Sequence, residues 1–178
     1  MKFHDQVLNC CKKATNEINR IKRTFHSRSP EFLGSMFKLY VRPHLEYCVQ
    51  VWSPVYSGDV DTIEKVQNRF TRLLRHGNFM SPAERNLALK ITDHKTRRLR
   101  GDLIYIYKMF DSPLFTESME RRTRGHSRRL VQERTTNNIR KHSFSVRSVI
   151  VWNSLPENIV CSEDLDIFKN RLDLYLSQ

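Results

Sequence analysis

The chain has few cysteines and no long apolar run. Its four cysteines form no Cys-x-x-Cys pair and no zinc-knuckle spacing, which argues against a disulfide framework and a metal site. Reduced thiols fit a nuclear or cytoplasmic setting. No apolar run approaches membrane-spanning length, and the first ten residues contain no signal-peptide core. These features predict a soluble intracellular protein without membrane contact.

The sequence also lacks the motifs of the common enzyme classes. Polymerase chemistry needs paired carboxylates that hold two metal ions, and no aromatic-x-Asp-Asp sequence is present. Asp164 and Asp166 lie close together, but at the start of an amphipathic helix, where acids favour the helix dipole. No P-loop, GxSxG or HExxH sequence occurs. We therefore expect no catalytic residues, no cofactor, no metal ion and no small-molecule substrate.

Positive charge is abundant. The chain has 31 Lys and Arg against 19 Asp and Glu, a formal net charge of +12. Such an excess is relieved best by a polyanion, so nucleic acid is the leading partner. For any single Lys or Arg, solvation of a helix face is the alternative.

Apolar residues recur with helical period along most of the chain. One set alternates steps of four and three: Val7, Cys11, Ala14, Ile18, Ile21 and Phe25. Asp5, Ser29, Asp59, Ser81 and Ser162 are the predicted N-caps of five helices, and the Ser81-Pro82-Ala83-Glu84 sequence has the form of a capping box. Pro43 predicts a kink or a fresh helical start.

These patterns predict a mainly α fold in three parts. Residues 1–110 form a helical core, residues 111–147 a basic arm or linker, and residues 148–178 a C-terminal helical cap that packs on the core. In the middle part the apolar period fails, and an arginine cluster surrounds a Gly-His-Ser turn. A short β-hairpin is predicted there, from 129–134 back through 138–142 with a turn at Thr136 and Asn137. A phosphate-binding arm and a disordered, solvated linker are the two interpretations of this segment.

A second basic group lies at the start of the helix predicted from Asp93. The positive charges of Arg97, Arg98 and Arg100 interact unfavourably with the helix dipole there, at a cost of ~0.3 to 1 kcal/mol each. A bound phosphate would offset this cost. Arginine also suits phosphate forks. The candidate nucleic-acid-binding residues are Arg97, Arg98, Arg100, Arg121, Arg122, Arg124, Arg128, Arg129, Arg134, Arg140, Lys141 and Arg147.

Six segments, taken in order, resemble the region that follows the polymerase palm in reverse transcriptases of jockey-like non-LTR retrotransposons. They are LYVRPHLEYCVQVWSP (39–54), IEKVQNRFTRLL (63–74), RRLRGDLIYIYKMF (97–110), RTRGHSRRL (122–130), VWNSLPENIV (151–160) and FKNRLDLYL (168–176). Each segment alone is modestly specific, but six in the same order are hard to obtain by chance.

The resemblance implies a helical thumb and a C-terminal extension that contact primer and template. The palm and fingers, with their catalytic aspartates, would lie upstream of Met1. We therefore expect a non-catalytic fragment of an RNA-directed DNA polymerase, which binds RNA–DNA hybrid or duplex without sequence specificity and docks on a missing palm. The alternative is a degenerate, element-derived structural or protein-interaction module with no nucleic-acid role. An exposed apolar face, for instance along Val7–Phe25, would favour that alternative.

Overall fold

A computed structural model describes residues 3–118 and 125–177, which are mainly α-helical, as predicted. The helices are α1 (His4–Thr24), α2 (Pro30–Met36), α3 (Arg42–Glu46), α4 (Val49–Trp52), α5 (Ser57–Thr71), α6 (Pro82–Ala88), α7 (His94–Lys108), α8 (Asn138–Lys141), α9 (Phe144–Trp152), α10 (Glu157–Val160) and α11 (Leu165–Leu176). A π-helical turn (Phe37–Val41) joins α2 to α3, and a 3-10 turn (Gly77–Phe79) follows α5. Within the described residues, none of the helices is long and apolar enough to cross a membrane.

The chain divides into two compact units, unit 1 (Met1–Lys95) and unit 2 (Thr96–Gln178). Helix α7 runs across this boundary. The sequence placed the end of the helical core later, at residue 110. The difference arises because Leu103 and Ile106 of α7, with Phe110 just after the helix, belong to the hydrophobic core of unit 2.

Helix α1 buries its apolar stripe in the core of unit 1. The buried residues are Val7, Cys10, Cys11, Ala14, Ile18 and Ile21. They follow the predicted helical period, and α1 packs against α5 and α3. Of the predicted stripe, only Phe25, just beyond the helix, is exposed, at 39%. The apolar face proposed for Val7–Phe25 is therefore not exposed, because the neighbouring helices of the same unit cover it.

The predicted N-caps are confirmed at Ser29 and Ser81 and are wrong at three other positions. Ser29 accepts from the Phe32 amide, and the Ser81–Glu84 capping box makes both of its bonds, at 3.3 and 2.6 Å. Helix α5 begins earlier, after Tyr56, so Asp59 lies in the first turn, where its carboxylate meets His4 Nδ1 at 2.6 Å. The other two corrections, both shifts of one turn or less, are Phe3 in place of Asp5 and Asp164 in place of Ser162.

Pro43 produces the predicted irregularity without ending the helical path. The amide of Arg42 donates to the carbonyl of Phe37, five residues back, which defines the π-helical turn before the proline. Proline has no amide hydrogen to donate. The wider turn therefore lets α2 continue into α3 past Pro43, which cannot donate a backbone hydrogen bond of the α-helical pattern.

A buried arginine fixes the segment after α5. Arg85, on α6, is only 3% exposed. Its guanidinium donates to Thr71 Oγ1 at 2.9 Å and to the carbonyls of Gly77 at 3.1 Å and Met80 at 2.5 Å. Burial, with the nearby charge of Arg72, lowers the pKa of Arg85. The side chain thus bonds a hydroxyl at the end of α5 and two carbonyls in and just after the 3-10 turn.

The core of unit 2 surrounds Trp152, which is fully buried. Its indole lies near Phe110 and Phe168, with ring centroids 5.8 and 6.0 Å apart. The C-terminal helices therefore pack on the second half of α7, through residues of the predicted cap such as Trp152 and Phe168.

The predicted hairpin over 129–142 is wrong. Asn137 Oδ1 accepts from the Ile139 amide at 2.9 Å and caps the short helix α8, so the second predicted strand is helical. The first predicted strand meets another partner: Leu130 forms an isolated antiparallel bridge with Glu117, the only β-pairing in the described residues.

Candidate nucleic-acid interface

Two of the sequence blocks, 125–130 and 152–157, are hydrogen-bonded to each other. Trp152 Nε1 donates to the carbonyl of Arg128 at 2.9 Å. The carbonyl of Trp152 lies 2.9 Å from His126 Nε2. Because a carbonyl only accepts, this nitrogen of His126 carries the proton. The buried tryptophan thus anchors the Gly-His-Ser turn through both its side chain and its backbone.

Asn153 continues this pairing with the backbone of Leu130. Its Oδ1 accepts from the Leu130 amide at 2.9 Å, and its Nδ2 donates to the Leu130 carbonyl at 2.8 Å. On the other side, the amides of Ser118 and Val131 donate to the carbonyls of Arg129 and Thr116, both at 2.8 Å. The residues around Leu130 are therefore held by backbone and side-chain bonds together.

Glu157, in the first turn of α10, holds Ser127. Its carboxylate accepts from the Ser127 hydroxyl at 2.7 Å and from the Ser127 amide at 2.8 Å. The thiol of Cys161 donates to the same carboxylate at 3.2 Å. The hydroxyl of Ser127, followed by the Cys161 thiol, lowers the pKa of Glu157. We call residues 126–130, with Trp152, Asn153 and Glu157, the motif clasp.

Gly125 precedes the motif clasp with a backbone that favours glycine. Its φ is +149°, and a Cβ added there would lie 3.1 Å from Cδ of Arg129. Side-chain-bearing residues rarely adopt this conformation. The glycine of the Gly-His-Ser turn is therefore required both by its dihedral angle and by the packing of Arg129.

Three members of the predicted arginine cluster, Arg121, Arg122 and Arg124, lie outside the described residues. The two that follow, Arg128 and Arg129, belong to the motif clasp and are half-buried. The guanidinium carbon of Arg128 lies 4.4 Å from the ring centroid of Phe110, a cation–π distance. Arg129 lies against Gly125.

The predicted group at the start of α7 is engaged within unit 2. Arg98 is buried, at 8% exposure, and its charge acts on the carboxyl group of Asp102, one turn later. Arg100 forms a bidentate pair with Asp173, with Nη2 and Oδ2 at 2.8 Å. Arg97 is half-buried. Asp102 and Asp173 thus offset the charges of Arg98 and Arg100 within unit 2, and Arg98 is not a surface group.

Arg147 is likewise part of an internal pair. Its Nε lies 3.1 Å from Asp102 Oδ2, and its Nη1 donates to the carbonyl of His142 at 3.0 Å. Burial raises the pKa of Asp102, and the charges of Arg147 and Arg98 oppose that rise. Asp102 therefore interacts with two arginines of the predicted site inside the fold.

Among the predicted residues that the structure describes, the exposed ones lie in the segment 131–141. Arg140 forms a bidentate pair with Glu133, with Nη2 2.6 Å from Oε2. Arg134 and Lys141 are exposed, and no carboxylate of residues 3–118 or 125–177 pairs with them. Of the predicted residues within the described ranges, these two cations are the best placed to meet a ligand.

Sequence reasoning missed the acids that neutralise the predicted arginines. Each forms an ion pair: Asp102 with Arg147, Asp173 with Arg100 and Glu133 with Arg140. The spacing of Arg98 and Asp102, four residues apart on one helix, was a readable signal. Arg100 and Asp173 are 73 residues apart, and no local sequence pattern predicts such a contact.

Neither metal-binding geometry nor a known relative helps to define this interface. In the two described ranges, no three His, Cys, Asp or Glu side chains lie together as a metal site. No family model, curated protein or solved structure matches the chain.

Proposed function

We propose that the chain is a non-catalytic segment of reverse-transcriptase type that holds the phosphate backbone of RNA–DNA hybrid or duplex without reading base sequence. The ordered resemblance to the post-palm region of jockey-like non-LTR elements supports this proposal, and so does the formal net charge of +12. In such a role the protein supplies affinity through Lys and Arg contacts, while paired carboxylates for polymerase chemistry would come from an upstream palm.

The observation that carries the proposal is the way the basic segment is held. The motif clasp fixes Ser127 and Leu130 by bonds to Glu157 and Asn153. The predicted arginine cluster thus ends in a turn held by hydrogen bonds, and the exposed cations Arg134 and Lys141 follow four and eleven residues after Leu130. A braced basic segment loses less conformational freedom on binding than a free linker does.

The expected chemistry is contact with phosphate oxygens. Each contact releases condensed counterions, so the logarithm of the binding constant falls with the logarithm of salt concentration by about 0.9 per phosphate on duplex DNA. Phosphate contacts carry no direct sequence information. Binding should therefore be strongly salt-dependent and nearly indifferent to base sequence.

The test compares two variants with a control of matched charge. Arg134→Gln with Lys141→Gln removes the two exposed cations, and Arg121→Gln, Arg122→Gln and Arg124→Gln together remove three of the cluster. Lys38→Gln with Lys90→Gln removes two exposed charges from unit 1. The salt slope for a labelled duplex should fall by about 0.9 for each phosphate that a variant no longer neutralises, and the control should change it little. Equal slopes in all four proteins would remove the segment 121–141 from the interface.

A second candidate function, docking on another protein without a nucleic-acid role, is favoured by a different observation. Large apolar side chains are exposed along residues 39–56 of unit 1. They are Leu39, Tyr40, Tyr47, Val51, Val55 and Tyr56. Exposed apolar surface of this kind is typical of interaction sites. This function would stand alone if the purified chain bound no nucleic acid at low salt.

A further inference from the structure

We infer that unit 1 carries a phosphate-binding surface of its own, formed by adjacent rows of basic side chains on α1 and α5. The ligand is a nucleic-acid phosphate backbone, and the inference rests on the proposed function while adding residues outside the predicted site. The residues of this α1–α5 basic surface are Lys12, Asn16, Asn19 and Arg23 of α1 and Lys65, Arg69 and Arg72 at and just after α5.

The charge excess of the chain is not confined to the arginine cluster. Residues 1–95 contain 16 Lys and Arg against 9 Asp and Glu, whereas residues 96–178 contain 15 against 10. Both units pair some of their arginines with carboxylates of the same unit. Unit 1 is therefore the more basic of the two, and its cations need a physical explanation.

The row on α1 follows one face of the helix. Lys12, Asn16, Asn19 and Arg23 stand at positions i, i+4, i+7 and i+11, a spacing that keeps residues in line along an α-helix. Lys12, Asn16 and Arg23 are exposed, and Asn19 is half-buried. The row spans ~16 Å at 1.5 Å per residue and contains no acid.

The row on α5 has the same form. Lys65, Arg69 and Arg72 stand at i, i+4 and i+7, and they line the flank of the helix. The acid nearest to this row in sequence on the same face, Asp61, lies one turn before Lys65 towards the helix start. From Lys65 onwards the row is entirely basic.

A shared asparagine places the two rows side by side. Arg69 Nη2 donates to Asn19 Oδ1 at 3.1 Å, and Arg23 Nε donates to the Asn19 carbonyl at 3.3 Å. At the other end of the same helices, His4 meets Asp59, so α1 and α5 run parallel. Two guanidinium groups from different helices therefore converge on one neutral residue.

No carboxylate offsets these cations in the part of the chain that the structure describes. Lys12, Arg23, Lys65, Arg69 and Arg72 form no ion pair with the acids of residues 3–118 and 125–177. Arg72 even acts on another cation, since its charge helps to lower the pKa of Arg85. Such an arrangement stores repulsion that an anion would relieve.

Helix dipoles explain only part of the pattern. Arg23 and Arg69 lie in the last turns of α1 and α5, where cations are favoured by ~0.3 to 1 kcal/mol. The effect fades beyond the last turn. Lys12 and Lys65 lie near the middle of their helices, so the helix dipole does not explain their positions. A nucleic-acid strand that runs along both rows does explain them.

The side chains of the surface define the contact it makes. It offers Lys and Arg for phosphate oxygens and asparagine amides for weaker polar contacts, and none of its residues is aromatic. It therefore provides no platform on which bases stack. We expect contact with the backbone alone, independent of sequence.

The test uses the full chain and two pairs of substitutions on the same helix. Lys12→Gln with Arg23→Gln removes two cations from the surface. Lys13→Gln with Arg20→Gln removes one Lys and one Arg from a different face of α1, where Arg20 pairs with Glu17. Binding of a labelled duplex is measured over a salt series, with circular dichroism as the check on folding.

The surface pair should lower the salt slope by about 1.8, or 0.9 for each of two phosphates. The other-face pair should leave it nearly unchanged. Equal changes in the two variants, or no change in either, would overturn the inference. Arg69→Lys, which keeps the charge but cannot form the guanidinium bond to Asn19, should retain the slope.

The outcomes separate this inference from the proposed function. If the unit 2 variants lower the slope and the surface pair does not, the inference alone is wrong. If only the surface pair lowers it, unit 1 is the binding surface and the segment 121–141 is not. No binding of the unaltered chain would overturn both.

Discussion

The side-chain amide of Asn153 pairs with the backbone of Leu130 through two hydrogen bonds of 2.9 and 2.8 Å, as a neighbouring strand would. These two residues are 23 positions apart and belong to two different sequence blocks. With Trp152 and Glu157, it attaches the Gly-His-Ser turn to the helices of unit 2.

Asn153→Ala should destabilise the protein by about 1 to 3 kcal/mol, because the amide and carbonyl of buried Leu130 would be left without their partners. Urea unfolding monitored by circular dichroism measures this change. The control is Ser154→Ala, since the exposed Ser154 hydroxyl bonds only to the carbonyl of Val151 within its own helical end. Equal stability of the two variants would contradict the role given to Asn153.

Two glycines make a matched pair with opposite expected effects. Gly125→Ala should destabilise by about 1 kcal/mol or more, because φ is +149° and the new Cβ would meet the Arg129 side chain. Gly58→Ala, in the first turn of α5, should stabilise by about 0.4 to 1 kcal/mol, since nothing lies within 4 Å of a Cβ there. Thermal unfolding distinguishes the two signs, and a stabilised Gly125 variant would refute the assigned geometry.

Arg85→Met should be among the more destabilising substitutions in unit 1. It leaves the buried Thr71 hydroxyl and the carbonyls of Gly77 and Met80 without their donor, at a cost of about 1 to 3 kcal/mol for each group that water cannot reach. Arg72→Met, an exposed neighbour, should change the unfolding free energy by less than about 0.5 kcal/mol. Similar destabilisation in both variants would show that Arg85 is not the specific brace.

Ser127 should control the acidity of Glu157. In Ser127→Ala, the pKa of Glu157 should rise towards the ordinary glutamate value, because the hydroxyl that contributes most to lowering it is gone. The carboxyl resonance followed over pH by NMR measures the shift, with Ser154→Ala as control. An unchanged titration of Glu157 would contradict the contact.

The same group gives a pH dependence of known sign. The folded-state pKa of Glu157 lies below its unfolded value. Its contribution to stability is therefore present above the unfolded pKa and disappears as pH falls through the folded one. The difference in unfolding free energy between the unaltered chain and Glu157→Gln should shrink as the solution is acidified below about pH 4.3. A difference that grew on acidification would reverse the assignment.

The sequence predicts the helices better than the contacts. Local signals sufficed for the apolar stripe of α1 and for the caps at Ser29 and Ser81, since each depends on residues within a few positions. The hairpin at 129–142 failed because Asn137 favours a helix cap as readily as a turn. The pairs Arg100–Asp173 and Arg147–Asp102 join distant residues, so the sequence could not show that these arginines are neutralised within the fold.

The most direct test of the account is fluorescence anisotropy of the full chain with labelled RNA–DNA hybrid, duplex DNA and single strands over a salt series. Nucleic-acid binding through phosphate contacts predicts saturable binding that is insensitive to base sequence. With six to ten contacts, affinity should fall roughly a thousandfold or more between about 50 and 200 mM salt. No binding at low salt, or an affinity that salt leaves unchanged, would contradict it.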